Sequence, residues 1–281
     1  MPPVNHSVAV KPLLGLWVLV TRPLHQARGL CELIEAQGGT AWVHPVIKIR
    51  DPADPAAARR RVDRLSSFDI VIFISANAAE RGLRLICERG KSLQGITVIA
   101  VGPATAARLY ALGVGEVILP AQADTEGLLG LDALRYPDKK CILIFRGAGG
   151  RPLMGETLQA RGARVDYAEV YRRTRSRLGA KALIERWEQG QIDVVITTSS
   201  EGLRNLFDIM GERQDLLLGC AIAVMNERMA VYARELGCTR PIVAADASDA
   251  GLLAALVAWR TGLKATEGRT TESKVQPNEN G

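Results

Sequence analysis

The chain contains the same sequence unit twice, with the second copy 124 residues after the first. The stretch VLVTRP at Val18–Pro23 corresponds to ILIFRG at Ile142–Gly147, and the same offset relates Ser75 to Ser199. An offset that stays constant over about 120 positions indicates a duplicated α/β unit, because so long a period produces two domains rather than a solenoid. Ligands commonly bind in a cleft between two domains. We therefore expect the informative residues to face such a cleft or to differ between the copies.

Apolar runs rich in Val, Ile and Leu alternate with helical patterns through both copies. Short continuous runs of this kind are typical of strands that helices bury on both faces, and the alternation predicts doubly wound parallel sheets. The predicted strands are Trp17–Thr21, Ala41–Ile49, Ile70–Ile74, Val98–Val101, Glu116–Leu119, Cys141–Phe145, Arg164–Tyr171, Asp193–Thr197, Ala221–Val224 and Pro241–Ala244.

The two ends of the chain lack these patterns. Residues 1–15 are predicted to be a loose N-terminal lead-in. Residues 263–281 are polar and have no apolar periodicity, which predicts a disordered C-terminal tail.

Composition narrows the class of ligand. The net charge of +6 favours an anionic partner. Aromatic residues make up only 5% of the chain and no Lys/Arg tract is interleaved with them, so an acidic small molecule is favoured over nucleic acid. The five cysteines are scattered without a CxxC pair, which is typical of reduced thiols in a cytosol. The three histidines lack metal-ligand spacing, and no apolar run reaches membrane length.

The residues that follow the predicted strands are the candidate ligand-binding residues. Ligands of open α/β sheets bind beyond the carboxyl ends of the strands. Each loop there also begins a helix, whose free N–H groups and positive dipole end attract anions such as carboxylates or phosphates. The candidates are Thr21, Arg22, Ser75, Asn77, Gly102, Thr105, Arg146, Gly147, Thr198, Ser199 and Ser200.

The same residues have purely structural interpretations. Ser75, Ser199 and Thr105 are equally suited to capping helices. Arg22 and Arg146 recur in both copies after the first strand, where surface ion pairs are the alternative.

The sequence disfavours nucleotide binding and catalysis by a strong acid or base. The glycine-rich loop Gly147–Gly150 lacks the third glycine of a dinucleotide fingerprint, because Pro152 stands at that position. Asp69 and Asp193 lie at the amino ends of strands, and a site would lie at the carboxyl ends. No catalytic triad is evident either. The sequence offers no strong general base.

Tyr171 marks a difference between the two copies. It ends the predicted strand Arg164–Tyr171, and its counterpart in the first copy is Ile47. A phenol that replaces an aliphatic side chain at the carboxyl end of a strand is a candidate acid or hydrogen-bond donor. The alternative is an edge residue with its hydroxyl in water.

The ordered set of motifs resembles the uroporphyrinogen-III synthase family. The resemblance covers about residues 16–262 and depends on VLVTRP, FDIVIFISANA, VGPATA, FRGAGGRP, RGARVDYAEVYRR and ITTSSEGLRNL. One loop departs from the pattern. Met225–Arg228 stands where some members have a second GP-x-TA loop, like the one at Gly102–Ala106.

The resemblance implies a fold that the repeat alone does not. Tandem halves would divide the chain at about residue 139. The family instead has two flavodoxin-like doubly wound parallel-sheet domains joined by a two-stranded β-ladder. One domain would contain residues 16–48 and 174–262, and the other residues 49–171.

The resemblance also implies a reaction, the cyclisation of hydroxymethylbilane to uroporphyrinogen III with loss of water. The eight carboxylates of this linear tetrapyrrole agree with the positive charge of the chain. Tyr171 matches the tyrosine of the family's VY motif and could donate a proton to the departing hydroxyl. No cofactor or metal is implied, and the expected protein is a cytoplasmic monomer with possible hand-over of substrate from the upstream deaminase. The alternative is a hinge-type binding protein for a small polyanion, without catalysis.

Overall fold

The computed structural model describes residues 11–150 and 152–272, with the backbone alone for residues 263–272. These residues form two compact units. The first unit combines the residues up to Lys48 with those from Arg175 onward, and the second unit is Ile49–Thr174.

The helices and strands alternate along the described chain. The strands are β1 (Trp17–Val20), β2 (Thr40–Val43), β3 (Ile47–Arg50), β4 (Ile70–Phe73), β5 (Thr97–Ala100), β6 (Cys141–Gly147), β7 (Arg164–Arg175), β8 (Val194–Ile196), β9 (Ala221–Val224) and β10 (Arg240–Val243). The α-helices are α1 (Leu24–Ala36), α2 (Pro55–Asp63), α3 (Ala76–Glu88), α4 (Pro103–Ala111), α5 (Thr125–Leu129), α6 (Asp132–Arg135), α7 (Leu153–Ala160), α8 (Lys181–Glu188), α9 (Ser200–Met210), α10 (Asp215–Leu218), α11 (Glu227–Glu235) and α12 (Asp249–Glu272).

The first unit contains a parallel sheet with the strand order β2-β1-β8-β9-β10. The central strands are fully buried because helices cover both faces, which explains their continuous Val, Ile and Leu runs. The helix α1 packs its buried residues Ala27, Leu30 and Ile34 into the core of this unit. The expected doubly wound parallel sheet is confirmed here.

The second unit repeats this strand order. Its strands β7, β6, β4 and β5 correspond to β2, β1, β8 and β9 by the 124-residue offset. Its sheet runs β3-β7-β6-β4-β5, and β4, β5, β6 and β7 are mutually parallel. The rings of Phe73 and Phe145 stack in its core with centroids 4.9 Å apart. A Cβ at Gly82 of α3 would lie 2.7 Å from Phe145, so the glycine lets α3 approach the sheet closely.

Two predicted strands are corrected. Ala41–Ile49 is not one strand, because Pro45 separates β2 from β3 and has no N–H for the ladder. Glu116–Leu119 forms only an isolated parallel bridge between Ile118 and Ile99. Glycines before this segment and Pro120 after it limit its length.

The predicted ends of the folded region also differ from the structure. Leu13 is fully buried in the core of the first unit, so the predicted lead-in is anchored at this residue, whereas Lys11, Leu14 and Gly15 are exposed. The helix α12 continues to Glu272, so residues 263–272 are helical where a disordered tail was predicted. No proline interrupts this segment, and its Ala, Lys, Glu and Arg residues favour a helix. Residues 1–10 and 273–281 lie outside the described residues.

Duplicated residues have the same structural role in both units. The carboxylate of Asp193 accepts a hydrogen bond from the N–H of Trp17 at 2.7 Å, and Asp69 accepts one from Cys141 at 2.8 Å. Both aspartates therefore fix the amino ends of their sheets, the ends at which the sequence places them. The hydrogen bond from Cys141 lowers the pKa of the Asp69 carboxyl group. Gly38 and Gly162 end α1 and α7 with φ angles of 87° and 91°, a conformation that favours glycine.

Candidate functional site

The carboxyl edge of the first sheet brings together the loops after β1 and β8. Since these strands are adjacent and parallel, Thr21 lies beside the end of β8. The hydroxyl of Thr21 is buried and donates to the carbonyl of Ile196 at 2.9 Å. This hydrogen bond joins the two strands, and the hydroxyl proton of Thr21 is therefore not available to a ligand.

Arg22 forms an ion pair with Asp249, the first residue of α12. Its side chain is only 11% exposed, so this is not the surface ion pair that the sequence alternative suggested. A second terminal nitrogen of Arg22 lies 3.9 Å from the sulfur of Met225. The arginine therefore ties the loop after β1 to the start of α12.

Ser199 caps α9 in the first unit. Its hydroxyl oxygen accepts a hydrogen bond from the N–H of Gly202 at 3.0 Å. Ser200 is the first residue of α9, and the half-buried Thr198 comes directly before the cap. The structural interpretation of Ser199 as a cap is confirmed, and the neighbouring N–H groups of α9 remain at this edge.

Tyr171 lies at the carboxyl edge of the second sheet. The strand β7 continues four residues beyond it, so Tyr171 does not end the strand. Only 2% of the residue is exposed, which excludes the interpretation as an edge residue with its hydroxyl in water. Its phenol oxygen lies 3.1 Å from the hydroxyl oxygen of Ser75. Ser75 in turn caps α3 by accepting from the N–H of Ala78 at 3.1 Å.

Arg146 stabilises the loop between β6 and α7. One terminal nitrogen donates to the carboxylate of Glu169 at 3.0 Å and the other to the carbonyl of Gly150 at 3.2 Å. The guanidinium also stacks over the ring of Tyr167, 3.8 Å from its centroid. The side chain is 14% exposed, so the alternative of a surface pair is wrong here as well.

The helix α4 begins without a side-chain cap. Its N-cap residue is Gly102, and a Cβ at that position would lie 2.7 Å from the Cβ of Ala123. Thr105 is buried within the first turn of α4 and does not cap it. Asn77 lies half-buried in the first turn of α3. The backbone at the start of α4 is thus suited to an anion.

The loop Met225–Arg228, which departs from the GP-x-TA motif, has a capping residue that the motif lacks. Asn226 is the counterpart of Gly102, and its side chain caps α11 by accepting from the N–H of Met229 at 3.0 Å. Glu227 adds a carboxylate in the first turn of the same helix. The start of α11 is therefore occupied and acidic, whereas the start of α4 has neither feature.

Several residues at these edges were missed by sequence reasoning. Asp249 and Glu169 neutralise the two repeated arginines, and Tyr167 stacks on one of them. His44 follows β2, is 5% exposed, and its Nε2 has no hydrogen-bond partner in the structure. Burial lowers the pKa of His44. No sequence signal pointed to His44, because it lay inside the predicted strand Ala41–Ile49.

The described residues hold no cluster of three or more His, Cys, Asp or Glu side chains arranged for a metal ion. Burial raises the pKa of the Cys220 thiol to about 12 and that of Cys238 to about 11. Both shifts disfavour the thiolate form that a nucleophilic cysteine requires. Among the same residues, no helix combines the length and the apolarity that crossing a bilayer requires.

The fold and these edges define a duplicated, doubly wound α/β protein whose loops present helix N-termini and a buried phenol. The sequence matches the family model described as Uroporphyrinogen-III synthase HemD over residues 29–254. The chain belongs to the uroporphyrinogen-III synthase family.

Individual relatives agree with this assignment. The chain is 32% identical to uroporphyrinogen-III synthase of Salmonella typhimurium over 243 residues, which cover 85% of this chain and 99% of that protein. The Escherichia coli enzyme is 30% identical over the same length and coverage. Uroporphyrinogen III synthase of Thermus thermophilus shares the fold, with a TM-score of 0.59 and 17% identity over 89% of this chain and 99% of that one. The Helicobacter pylori structure gives a TM-score of 0.55 at 15% identity, over 87% and 99%.

Proposed function

We propose that this chain is a cyclising hydro-lyase that converts hydroxymethylbilane to uroporphyrinogen III, with inversion of the last pyrrole ring and loss of water. The observation that carries the mechanism is the buried Tyr171, whose hydroxyl lies against Ser75 at the N-terminus of α3. Membership of the family supports the identity of the substrate.

The substrate supplies most of the reactivity in this reaction. Loss of its hydroxyl leaves an azafulvene cation, which the substituted carbon of the last ring attacks to give a spiro intermediate. Fragmentation and reclosure then invert that ring. The protein must fold the chain so that the disfavoured carbon attacks, which is catalysis by positioning and by charge stabilisation. Tyr171 donates a proton to the departing hydroxyl, so that it leaves as water.

The carboxylates of the substrate bind at the carboxyl edges of the sheets. In the second unit the start of α4 has no side-chain cap, and it offers the N–H of Ala104 and the positive end of a helix dipole. Pro103 has no N–H, and the N–H of Thr105 donates to the carbonyl of Gly102. Gly147, Arg146 and Asn77 complete this edge. In the first unit the corresponding residues are Arg22, Thr198, Ser199 and Ser200. Thr21 is left out because its buried hydroxyl donates to the carbonyl of Ile196.

The wider setting follows from the same proposal. The enzyme acts without a cofactor, as a cytoplasmic monomer, on a tetrapyrrole that the upstream deaminase hands over. The two domains are joined through β3 and β7, the two strands in which the chain passes between the units. Sedimentation with and without the deaminase tests both the monomer and the hand-over.

Analysis of the product isomers tests the function. Hydroxymethylbilane closes spontaneously to isomer I, so purified protein that yields isomer III performs the inversion. A polyanion-binding protein would sequester the substrate and yield no isomer III. Isomer I alone, formed at the spontaneous rate, would contradict the proposal.

A further inference from the structure

Tyr171 is held by one residue under its ring and another at its hydroxyl. We propose that Gly147 and Ser75 are positioning residues, which hold the phenol of Tyr171 in one orientation and stabilise its oxygen as the proton leaves. This inference depends on the proposed role of Tyr171 as proton donor.

Gly147 provides the space for the ring. A Cβ at Gly147 would lie 2.7 Å from both Cε2 and Cζ of Tyr171 and 3.0 Å from its hydroxyl oxygen. The ring lies within the hydrophobic core of the second unit and cannot swing aside freely. The φ angle of Gly147 is not positive, so the backbone does not itself require glycine there. The close approach of the ring is therefore the reason for this glycine.

The strand pairing aligns the two residues. Gly147 is the register partner of Tyr171 in the β6–β7 ladder, after an irregularity between Arg146 and Gly147. The N–H of Ala148 also donates to the carbonyl of Tyr171 at 2.8 Å. The backbone on both sides of the contact is thus fixed, and the ring position follows from it.

Ser75 can serve the phenol oxygen during proton transfer. Its hydroxyl has one proton and two acceptor positions. The N–H of Ala78 uses one acceptor position, so the proton of Ser75 remains available for the oxygen 3.1 Å away. When the phenol gives its proton to the leaving hydroxyl, its oxygen becomes negative. Ser75 then donates to that oxygen beside the positive end of α3.

The proton balance of this step closes within the reaction. The proton of Tyr171 leaves with the hydroxyl as water, and the cyclised tetrapyrrole later loses one proton from carbon. That proton restores the phenol, so no further reactant is needed.

The other copy of the repeat separates this role from helix capping. Ser199 caps α9 with the geometry that Ser75 has at α3. The counterparts of Tyr171 and Gly147 are Ile47 and Pro23, and no phenol lies there. The fall in melting temperature of Ser199→Ala therefore measures what the cap alone contributes in this fold.

Three substitutions of Ser75 test the proposal. Ser75→Thr keeps both cap and hydroxyl, Ser75→Asp keeps the cap but offers no proton, and Ser75→Ala removes both. We expect Ser75→Thr to stay near the wild-type kcat. The other two should lose kcat by on the order of 10²-fold, as for a lost transition-state donor, with little change in KM. If Ser75 only caps α3, Ser75→Asp will match wild type, and the proposal is overturned.

Gly147→Ala tests whether the space at Gly147 sets the position of the Tyr171 ring. Displacement of the phenol should lower kcat by on the order of 10²-fold. The matched control is Gly115→Ala in the same unit, where a Cβ meets nothing within 4 Å. A wild-type kcat in Gly147→Ala, with a folded protein by circular dichroism, would refute the role of Gly147.

The Tyr171→Phe background separates this inference from the proposed function. If Ser75 acts through the phenol, adding Ser75→Ala to Tyr171→Phe should cause no further loss of kcat. A further loss of the full size would overturn the positioning role and leave the function intact. A wild-type kcat in Tyr171→Phe alone would refute Tyr171 as the donor, and the inference would fail with it.

Discussion

The two units share a framework but differ in the chemistry at their carboxyl edges. Ser75 and Ser199 cap corresponding helices, and the largely buried side chains of Arg22 and Arg146 form ion pairs after corresponding strands. Among the described residues, Tyr171 places a phenol at this edge of the second unit, and its counterpart in the first unit is Ile47. Duplication thus preserved the residues that build the edge, whereas the residue proposed to transfer a proton is specific to one copy.

The start of the following helix shows a second difference. In the second unit Gly102 leaves the first turn of α4 uncapped, whereas in the first unit Asn226 caps α11. A helix N-terminus attracts an anion only while its N–H groups are available. The two edges therefore differ in the N–H groups that these two helices can offer to an anion.

The largest expected effect concerns Tyr171. Tyr171→Phe should lower kcat by on the order of 10²-fold because the leaving hydroxyl loses its proton donor. The free energy of unfolding should fall by only about 1 kcal/mol, since Ser75 keeps its bond to Ala78. Steady-state kinetics and urea unfolding measure the two quantities. The control Tyr232→Phe removes a hydroxyl that accepts from Arg204 in the first unit, and it should leave kcat unchanged.

The next effect tests the open start of α4. The double variant Gly102→Ser with Ala123→Gly makes room for a capping hydroxyl, which would then compete with the substrate for the N–H groups. We expect KM to rise about tenfold, the effect of losing roughly 1.4 kcal/mol of binding, with kcat nearly constant. Ala123→Gly alone is the control. An unchanged KM would remove α4 from the binding surface.

The repeated arginines should separate into two kinetic classes. Arg146→Ala frees the loop that carries Gly147, so kcat should fall and part of the product should shift from isomer III to isomer I. Arg22→Ala should chiefly raise KM. Each should cost on the order of 1 kcal/mol of stability, because a charged hydrogen bond is lost while the carboxylates of Asp249 and Glu169 are 33% and 40% exposed and therefore screened by water. Arg89→Ala breaks an exposed pair with Asp63 and should change neither parameter. Identical kinetic behaviour of the two arginine variants would contradict this distinction.

The smallest expected effect is a pH dependence of the free energy of unfolding, which arises from His44 in the first unit. Burial lowers the pKa of His44 below its usual value of about 6.5. The unfolded chain therefore binds a proton at His44 more readily than the folded chain does. The contribution of His44 to the free energy of unfolding is fully present above about pH 6.5 and decreases as the pH falls below that value. The slope reaches at most about 1.4 kcal/mol per pH unit. Urea unfolding at pH 7 and pH 5 should show a smaller difference in His44→Phe than in wild type or in the control His25→Gln.

The sequence predicted the framework because strand burial and helix ends leave local patterns. The strand Ala221–Val224 was predicted with its observed limits, and Asp69 and Asp193 were assigned to the non-functional end of their sheets. Pro45 was the signal, visible in the sequence, that β2 and β3 are separate strands. The discontinuous domains and the β-ladder came from the family resemblance and not from residue patterns.

The contacts at the site could not be predicted in the same way. Comparison of the copies singled out Tyr171, but its burial and its bond to Ser75 depend on how β7 packs against α3. Asp249 and Glu169 have no charged counterparts in the other copy, so the repeat gave no indication of them. The ligand-binding roles of the candidate residues remain predictions.

A substrate with a different leaving group tests the central claim most directly. An ester of the hydroxymethyl group departs as a carboxylate and needs no proton from Tyr171. The kcat ratio of wild type to Tyr171→Phe should be on the order of 10² with hydroxymethylbilane and fall close to one with the ester. An equal ratio with both substrates would show that Tyr171 acts otherwise than as the proton donor to the leaving group.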